Sequence, residues 1–273
     1  GPYLSSGAIP AMLMTDLCFD IPVGTFCSMV FDEIYVPPAS GDNGTVIGAC
    51  YLSTKTLSPN FQSCRLDNYY KGSSFSNEEI KHVLKSYNVN FFQPENLSEY
   101  VAKKLNNQKI IGWFQGGAEF GPRALGNRSI LTAPFPKEMK DILNSRVKFR
   151  EPFRPFAPAI LSEFTDDYFD IKQESPHMLI AVNVKHEKIP QIPAVVHIDN
   201  SARVQTVNKF DNPRFRKLIE SFFEETGCPV LLNTSFNVKG QPMVNTPEDA
   251  IKCFLSTSID ILGIGDFIVS KDD

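Results

Sequence analysis

The sequence predicts an α/β fold, and three observations carry that reading. Apolar runs of strand length recur at 109–114, 229–232 and 259–269. Between them lie amphipathic stretches with helical spacing and legible ends, such as 214–225 stopped by Thr226-Gly227 and 246–251 opened by Thr246-Pro247. Apolar residues make up 42% and charged residues 21% of a 273-residue chain, the composition of a globular protein of one large or two ordinary domains.

Residues 1–63 form a first section. The stretch 31–36 alternates like a strand and stops at Pro37-Pro38. The turn Asp42-Asn43-Gly44 then leads into the helix-compatible run 45–52, where Asp42 has the chemistry to cap the helix, hold a metal or contact a phosphate. Residues 64–107 read as a helical connector with two short helices. The first is opened by Ser76 or Asn77, with Glu79 as a capping-box partner, and the second spans 96–105.

From 108 to 273 strands, helices and proline-rich turns alternate, and the arginines concentrate. After the strand at 109–114 come Gly116, Gly117 and Gly121, then Arg123 and Arg128. Glycines allow backbone to approach a ligand closely, and guanidinium forks suit phosphate or carboxylate. The plainer reading is a surface turn whose arginines pair with Glu119 and other acids. Further on, 137–144 has helical spacing, and proline excludes a helix over 152–158. Arg146, Lys148, Arg150 and Arg154 interleave there with Phe149, Phe153 and Phe156, and in an extended chain Lys148 and Arg150 share a face. Cations beside aromatic walls describe a nucleotide-phosphate pocket or a single-strand binder, and the formal net charge of −4 argues against the second. The acidic run 166–170 reads as a solvated loop, with a Mg²⁺ anchor as the alternative, and 195–207 as two strands around a turn, with Arg203 opening the second. Asn233, Thr234, Ser235 and Asn237 fall just past the strand at 229–232, either at a ligand edge or in a hydrogen-bonded turn.

Six cysteines, at positions 18, 27, 50, 64, 228 and 253, form no C-x-x-C pair and no zinc-like cluster. They read as mostly buried small hydrophobes in a reducing, cytoplasmic setting. The sequence shows no bilayer-length apolar run and no basic-then-apolar leader.

Four segments, FGPRALGNRSIL (120–131), VKFREPFRPFAP (147–158), DNSARVQTV (199–207) and PVLLNTSFNVKGQP (229–242), together resemble the carboxyl-terminal region of the NodU/CmcH-type O-carbamoyltransferases. The resemblance runs over most of 70–270. It implies a YrdC-like lobe at 108–273, a twisted mixed sheet with helices. A remnant of an actin/Hsp70-like ATPase lobe at 1–63 would precede it. It also implies that carbamoyl phosphate and ATP, with Mg²⁺, give carbamoyl adenylate, whose carbamoyl group passes to the hydroxyl of a small-molecule acceptor. Arg123, Lys148, Arg154, Arg203, Asn233 and Ser235 are carried over as the nucleotide- and carbamoyl-binding set, with Lys148, Arg203 and Arg123 as its catalytic members. Asp42 is carried over as a metal ligand, for Mg²⁺, Fe²⁺ or another divalent ion in a complete ATPase-like lobe. The sequence departs from the family in lacking an H-x-x-x-H pair and the glycine-rich G-G-x-x-x-N stretch before Asp42. The sequence is therefore expected to be a fragment, a subunit completed by another chain or a second copy, or a truncated relative. The alternatives are a threonylcarbamoyl-adenylate synthase and a non-catalytic nucleotide- or RNA-binding subunit. Neither membrane nor nucleic-acid partners are expected.

Overall fold

The computed structural model describes residues 35–58, 60–62, 68–151 and 154–271. The strand expected at 31–36 falls largely outside them, as do Cys18, Cys27 and Cys64. The turn at Asp42 becomes a 3-10 turn, Asp42–Gly44, that runs into helix α1 (Thr45–Leu57). Helix α1 buries none of its residues.

Helix α2 (Asn77–Ser86) starts where local chemistry directs. The Ser76 side chain accepts from the Glu79 N–H, and Glu79 accepts in return from the Ser76 N–H at 2.7 Å. Helix α3 (Leu97–Asn106) is capped by Asn96. Ile80 and Leu84 of α2, and Val101, Ala102 and Leu105 of α3, are buried in the same hydrophobic cluster as the sheet strands. The helices read as a connector are thus part of the domain, because their apolar i, i+4 faces need the sheet layer to leave water.

The strands follow as β1 (Ile111–Phe114) and β2 (Arg128–Thr132). Helix α4 (Met139–Leu143) runs straight into a π turn, Asn144–Lys148, before β3 (Ala157–Leu161). Helix α5 (Thr165–Tyr168) leads to β4 (Ile180–Asn183) and β5 (Ser201–Val207). Helix α6 (Pro213–Thr226), β6 (Val230–Ser235), helix α7 (Pro247–Ser256), β7 (Ile261–Ile264) and β8 (Phe267–Ser270) complete the order.

All eight strands join one mixed sheet, ordered β4-β5-β3-β6-β2-β1-β7-β8. Only β3–β5 and β1–β7 pair in parallel. Helix α6 packs on α3 and carries Phe215, Leu218, Ile219 and Phe222 into the core. Its ends match the sequence: Asn212 caps it, Pro213 opens it, and Gly227 closes it at φ 73°. Gly126, at φ 105°, is a case where only glycine fits, since a Cβ there would meet the Phe215 ring at 2.3 Å.

Four local expectations are corrected. The first strand of 195–207 does not form, because Pro193–Val195 is a 3-10 turn and β5 pairs with β4 instead. The acidic run contains the short helix α5, where the Phe169 N–H returns to the Thr165 carbonyl. Lys148 closes the π turn and is not extended, so Lys148 and Arg150 do not share a strand face. Asn233 and Ser235 lie within β6, which is antiparallel to both neighbours, so the edge rule for parallel sheets does not place them. Of the cysteines described, Cys228 and Cys253 are buried and Cys50 is exposed.

Candidate functional site

The site is built on one sheet face. Ala159 of β3 faces Gln205 of β5, and Ala157 faces Asn233 of β6. Side chains alternate along a strand, so Arg203 and Gln205, Asn233 and Ser235 all project to this face. The glycine loop lies over it. Asn233 Nδ2 donates to the Ala124 carbonyl at 3.1 Å and to Gln205 Oε1 at 2.8 Å, while Gln205 Nε2 donates to the Leu125 carbonyl at 2.9 Å. Those bonds clamp the residues next to Arg123 onto the strands.

Arg123, Arg150 and Arg203 converge. Burial pushes Arg203 down to about 10, and the charges of Arg123 and Arg150 add to the shift. Burial lowers Arg123 as well. Three buried polar atoms here, Arg123 Nε, Arg203 Nε and Asn233 Oδ1, have no partner among the described residues. An unmade buried hydrogen bond costs roughly 1–3 kcal/mol; an anion would satisfy the two arginine donors and relieve the repulsion between the cations, while Asn233 Oδ1 needs a donor.

Lys148 is 3% exposed at the end of the π turn. Its Nζ donates to Asn237 O at 3.0 Å, Asn237 Oδ1 at 2.9 Å, Ser235 Oγ at 3.2 Å and the Ser235 carbonyl. Ser235 Oγ in turn donates to Asn237 Oδ1 at 2.8 Å. The next residue, Phe149, sits in the left-handed region at φ 48°, which turns the chain so that Lys148 and Arg150 diverge. Arg150 then donates from Nε to Asn144 Oδ1 at 2.8 Å and lies over the Phe156 ring at 4.5 Å. Burial, then the Arg150 charge, pushes the Lys148 ammonium down to about 7.

That shift has a sign. An unfolded chain carries the Lys148 proton up to its ordinary 10.5, so stability rises with pH between about 7 and 10.5. Anion affinity moves the other way, since the site loses one cation as pH rises through about 7. Calorimetric titration with sulfate, whose own charge is constant from pH 6 to pH 9, is expected to show affinity falling as pH rises above about 7. A flat profile would mean that Lys148 stays charged.

The other expected site residues lie apart. Arg154 is exposed and paired with Glu151 at 3.1 Å, at the rim next to Arg150. Asp42 is exposed, and its backbone carbonyl accepts from Thr45 Oγ1 at 2.7 Å, while its side chain caps nothing. No group of three His, Cys, Asp or Glu side chains that could hold a metal occurs among the described residues. A lone exposed carboxylate does not fit a metal centre, and no chemical step is assigned to one.

Arg128 departs most from the sequence reading. It is fully buried, stacked 3.7 Å over Phe114, and donates to carbonyls of Gln115 (2.6 Å), Gly116 (3.1 Å), Asn127 (3.2 Å) and Ser73 (2.8 Å). It stabilises the loop and is not free for phosphate. Glu119 does not neutralise an arginine at the surface either. Its Oε1 accepts from the N–H groups of Leu125, Asn127 and Arg128 at 2.9, 2.8 and 3.0 Å. The backbone donors of the turn are thereby used internally, and the anion-facing charge comes from side chains.

Sequence reasoning left Arg150, Asn237 and Gln205 out of the site. Arg150 and Asn237 lie inside motifs already singled out, at Lys148-Phe149-Arg150 and Ser235-Phe236-Asn237, so the signal was their spacing from chosen neighbours. Gln205 had no signal beyond sharing a strand face with Arg203.

With this geometry in place, similarity to known proteins is decisive for family. The model of the carbamoyltransferase C-terminus matches residues 102–271. The chain belongs to that family. Nodulation protein NolO of Bradyrhizobium diazoefficiens is 38% identical over 272 residues, covering 94% of this chain and 50% of that protein. The 3'-hydroxymethylcephem-O-carbamoyltransferase of Streptomyces clavuligerus is 33% identical over 86% of this chain and 43% of its own length. This chain spans about half the length, or less, of these curated relatives. Among solved structures, full-length HypF in its phosphate- and nucleotide-bound form aligns with a TM-score of 0.41 at 17% identity, over 68% of this chain and 22% of HypF.

Proposed function

We propose that this chain is the carbamoyl-adenylate-forming part of an ATP-dependent O-carbamoyltransferase. The observation that carries the reading is the convergence of Arg123, Arg150 and Arg203 on the face of Asn233, with buried donors left unpartnered among the described residues. Family membership supplies the group being moved.

In this reading carbamoyl phosphate loses its phosphate to water, and an oxygen of the released carbamate attacks the α-phosphorus of ATP. That bond forms as the bond to the bridging oxygen breaks, and pyrophosphate leaves. Negative charge grows on the equatorial oxygens, where fixed guanidinium groups in a poorly hydrated cleft stabilise it more than water does. Arg123 and Arg203 hold the reacting phosphate, and Lys148, whose N–H groups hold Ser235 and Asn237, adds positive charge at that end for the departing one. Asn233 Oδ1 accepts from the carbamoyl NH₂, which gives the site an acceptor as well as cations. Arg154 contributes at the rim only. The acceptor hydroxyl then takes the carbamoyl group and AMP leaves, a step that draws on a lobe beyond the described residues.

The direct test is pyrophosphate release by the chain. Release is expected only when ATP and carbamoyl phosphate are both present, with ATP binding seen by calorimetry. No release and no ATP binding would remove the proposal. Release driven by threonine and bicarbonate would favour the threonylcarbamoyl reading instead.

A further inference from the structure

A cleft of about 490 Å³ lies between the 68–70 segment, the 174–177 segment and the 208–211 loop before α6. That is within the roughly 300–1,000 Å³ of small-molecule sites. Tyr35, Tyr69, Tyr70 and His177 give it aromatic walls, and Glu174 and Asp211 line it as well. No lysine or arginine lines it among the described residues. The walls are held in place. The His177 ring meets Tyr35 and Tyr69 edge to face, at 6.0 and 5.2 Å between centroids, and the two tyrosine hydroxyls lie 2.8 Å apart. His177 Nδ1 lies 2.8 Å from the Val36 carbonyl. A carbonyl only accepts, so Nδ1 carries the hydrogen. Burial pushes the ring's pKa down, against the pull of the Val36 bond and the Asp211 charge, so neutral imidazole prevails at about pH 7. Nε2 is then an acceptor. It makes no hydrogen bond among the described residues and is not buried, so it stays open on the cleft wall.

We propose that this cleft binds a neutral, polyhydroxylated ring of the size of a pyranose. Its hydroxyls donate to His177 Nε2 and to the Glu174 carboxylate, and its C–H face lies against the tyrosine rings. The acceptors sit on different residues, so several donors on one ring match them better than a single ammonium does. An anion would meet Glu174 and Asp211 with like charge and find no lysine or arginine among the described lining residues. A purely apolar ring would leave Nε2 without a donor once water is displaced. The site is independent of the adenylate reading, since none of the cations invoked for phosphate lines it. It adjoins the glycine loop through Leu125, which lines the cleft and whose carbonyl accepts from Gln205 Nε2.

Titration of the full chain with methyl β-glucopyranoside, tetrahydropyran, glucuronate and adenosine, without ATP, tests the proposal. The glucoside is expected to bind roughly tenfold or more tightly than any of the other three. His177→Phe keeps an aromatic ring and removes the acceptor, and is expected to lower glucoside affinity about fivefold, as the loss of one hydrogen bond does. Because His177 also holds Val36, a second variant guards against misfolding. Tyr35→Ala trims a wall residue that is 57% exposed, and is expected to lower glucoside affinity roughly threefold or more with the Tm unchanged. No binding of the glucoside, equal binding of glucoside and tetrahydropyran, or wild-type affinity in either variant would overturn the assignment. Tighter binding of adenosine would also overturn it and give the cleft to a nucleoside. Pyrophosphate release is measured separately, so failure here leaves the adenylate reading standing and the reverse also holds.

Discussion

Arg203→Ala is expected to cut pyrophosphate release from ATP and carbamoyl phosphate by roughly 100-fold or more while leaving thermal stability unchanged or slightly raised. The two halves of that expectation have different causes. A charge-assisted bond to a phosphate oxygen contributes about 1.5–3 kcal/mol, and more where water is excluded at the moment charge develops. In the function proposed above Arg203 makes such a bond, and its buried Nε has no partner among the described residues. In the absence of ligand the same guanidinium is a burden. Burial and the neighbouring charges of Arg123 and Arg150 all disfavour its charged form. Its removal relieves repulsion and costs some packing of the side-chain stem, and the two offset. Pyrophosphate assay and thermal unfolding on the same preparation separate the effects. Release at the wild-type rate would show that Arg203 does not touch the reacting phosphate.

Arg128→Met is expected to give the opposite pattern, a stability loss of about 3–5 kcal/mol, or roughly 10 °C or more in Tm. Methionine keeps much of the stem's apolar volume and removes every donor. The carbonyls of Ser73, Gln115, Gly116 and Asn127 would then lose a guanidinium that now reaches all four. The contact with the Phe114 face is lost as well. Burial already pushes Arg128 down to about 10, with the Glu119 charge opposing that shift, so the chain spends stability to keep a cation there. Arg123→Ala serves as the control, because Arg123 makes no such set of carbonyl bonds among the described residues and should leave the Tm within about 2 °C. Equal unfolding temperatures for the two variants would sink the distinction drawn between a loop-holding arginine and a ligand-facing one.

That distinction shows where sequence reading stops. Arg123 and Arg128 stand five positions apart in one glycine-rich stretch and carry the same chemistry. Their different uses follow from residues far away in the chain. Arg128 reaches the Ser73 carbonyl, whereas Arg123 lies beside Arg203, with the next residue, Ala124, anchored to Asn233. Similarly, period two placed Lys148 and Arg150 on one face. The π turn and the left-handed Phe149 separated them, sending one ammonium to Ser235 and Asn237 and one guanidinium to Phe156. Backbone departures of that kind are sustained by tertiary contacts, and short-range preferences do not announce them.

By itself the sequence determined the features whose causes lie within a few residues. The capping box at Ser76–Glu79 and the Thr246-Pro247 opening of α7 are of that kind, as are the proline and glycine limits of α6, the apolar strands, and the four ordered motifs that mark the carbamoyltransferase family. Tertiary structure alone decided which cations face one another, which serve the fold, and that Glu119 gives an oxygen to three backbone N–H groups of the loop and not to a surface arginine. The reason is range. A cap or a strand is stabilised by its neighbours in the chain, while the energy of a buried charge depends on every group the fold brings within a few ångströms of it.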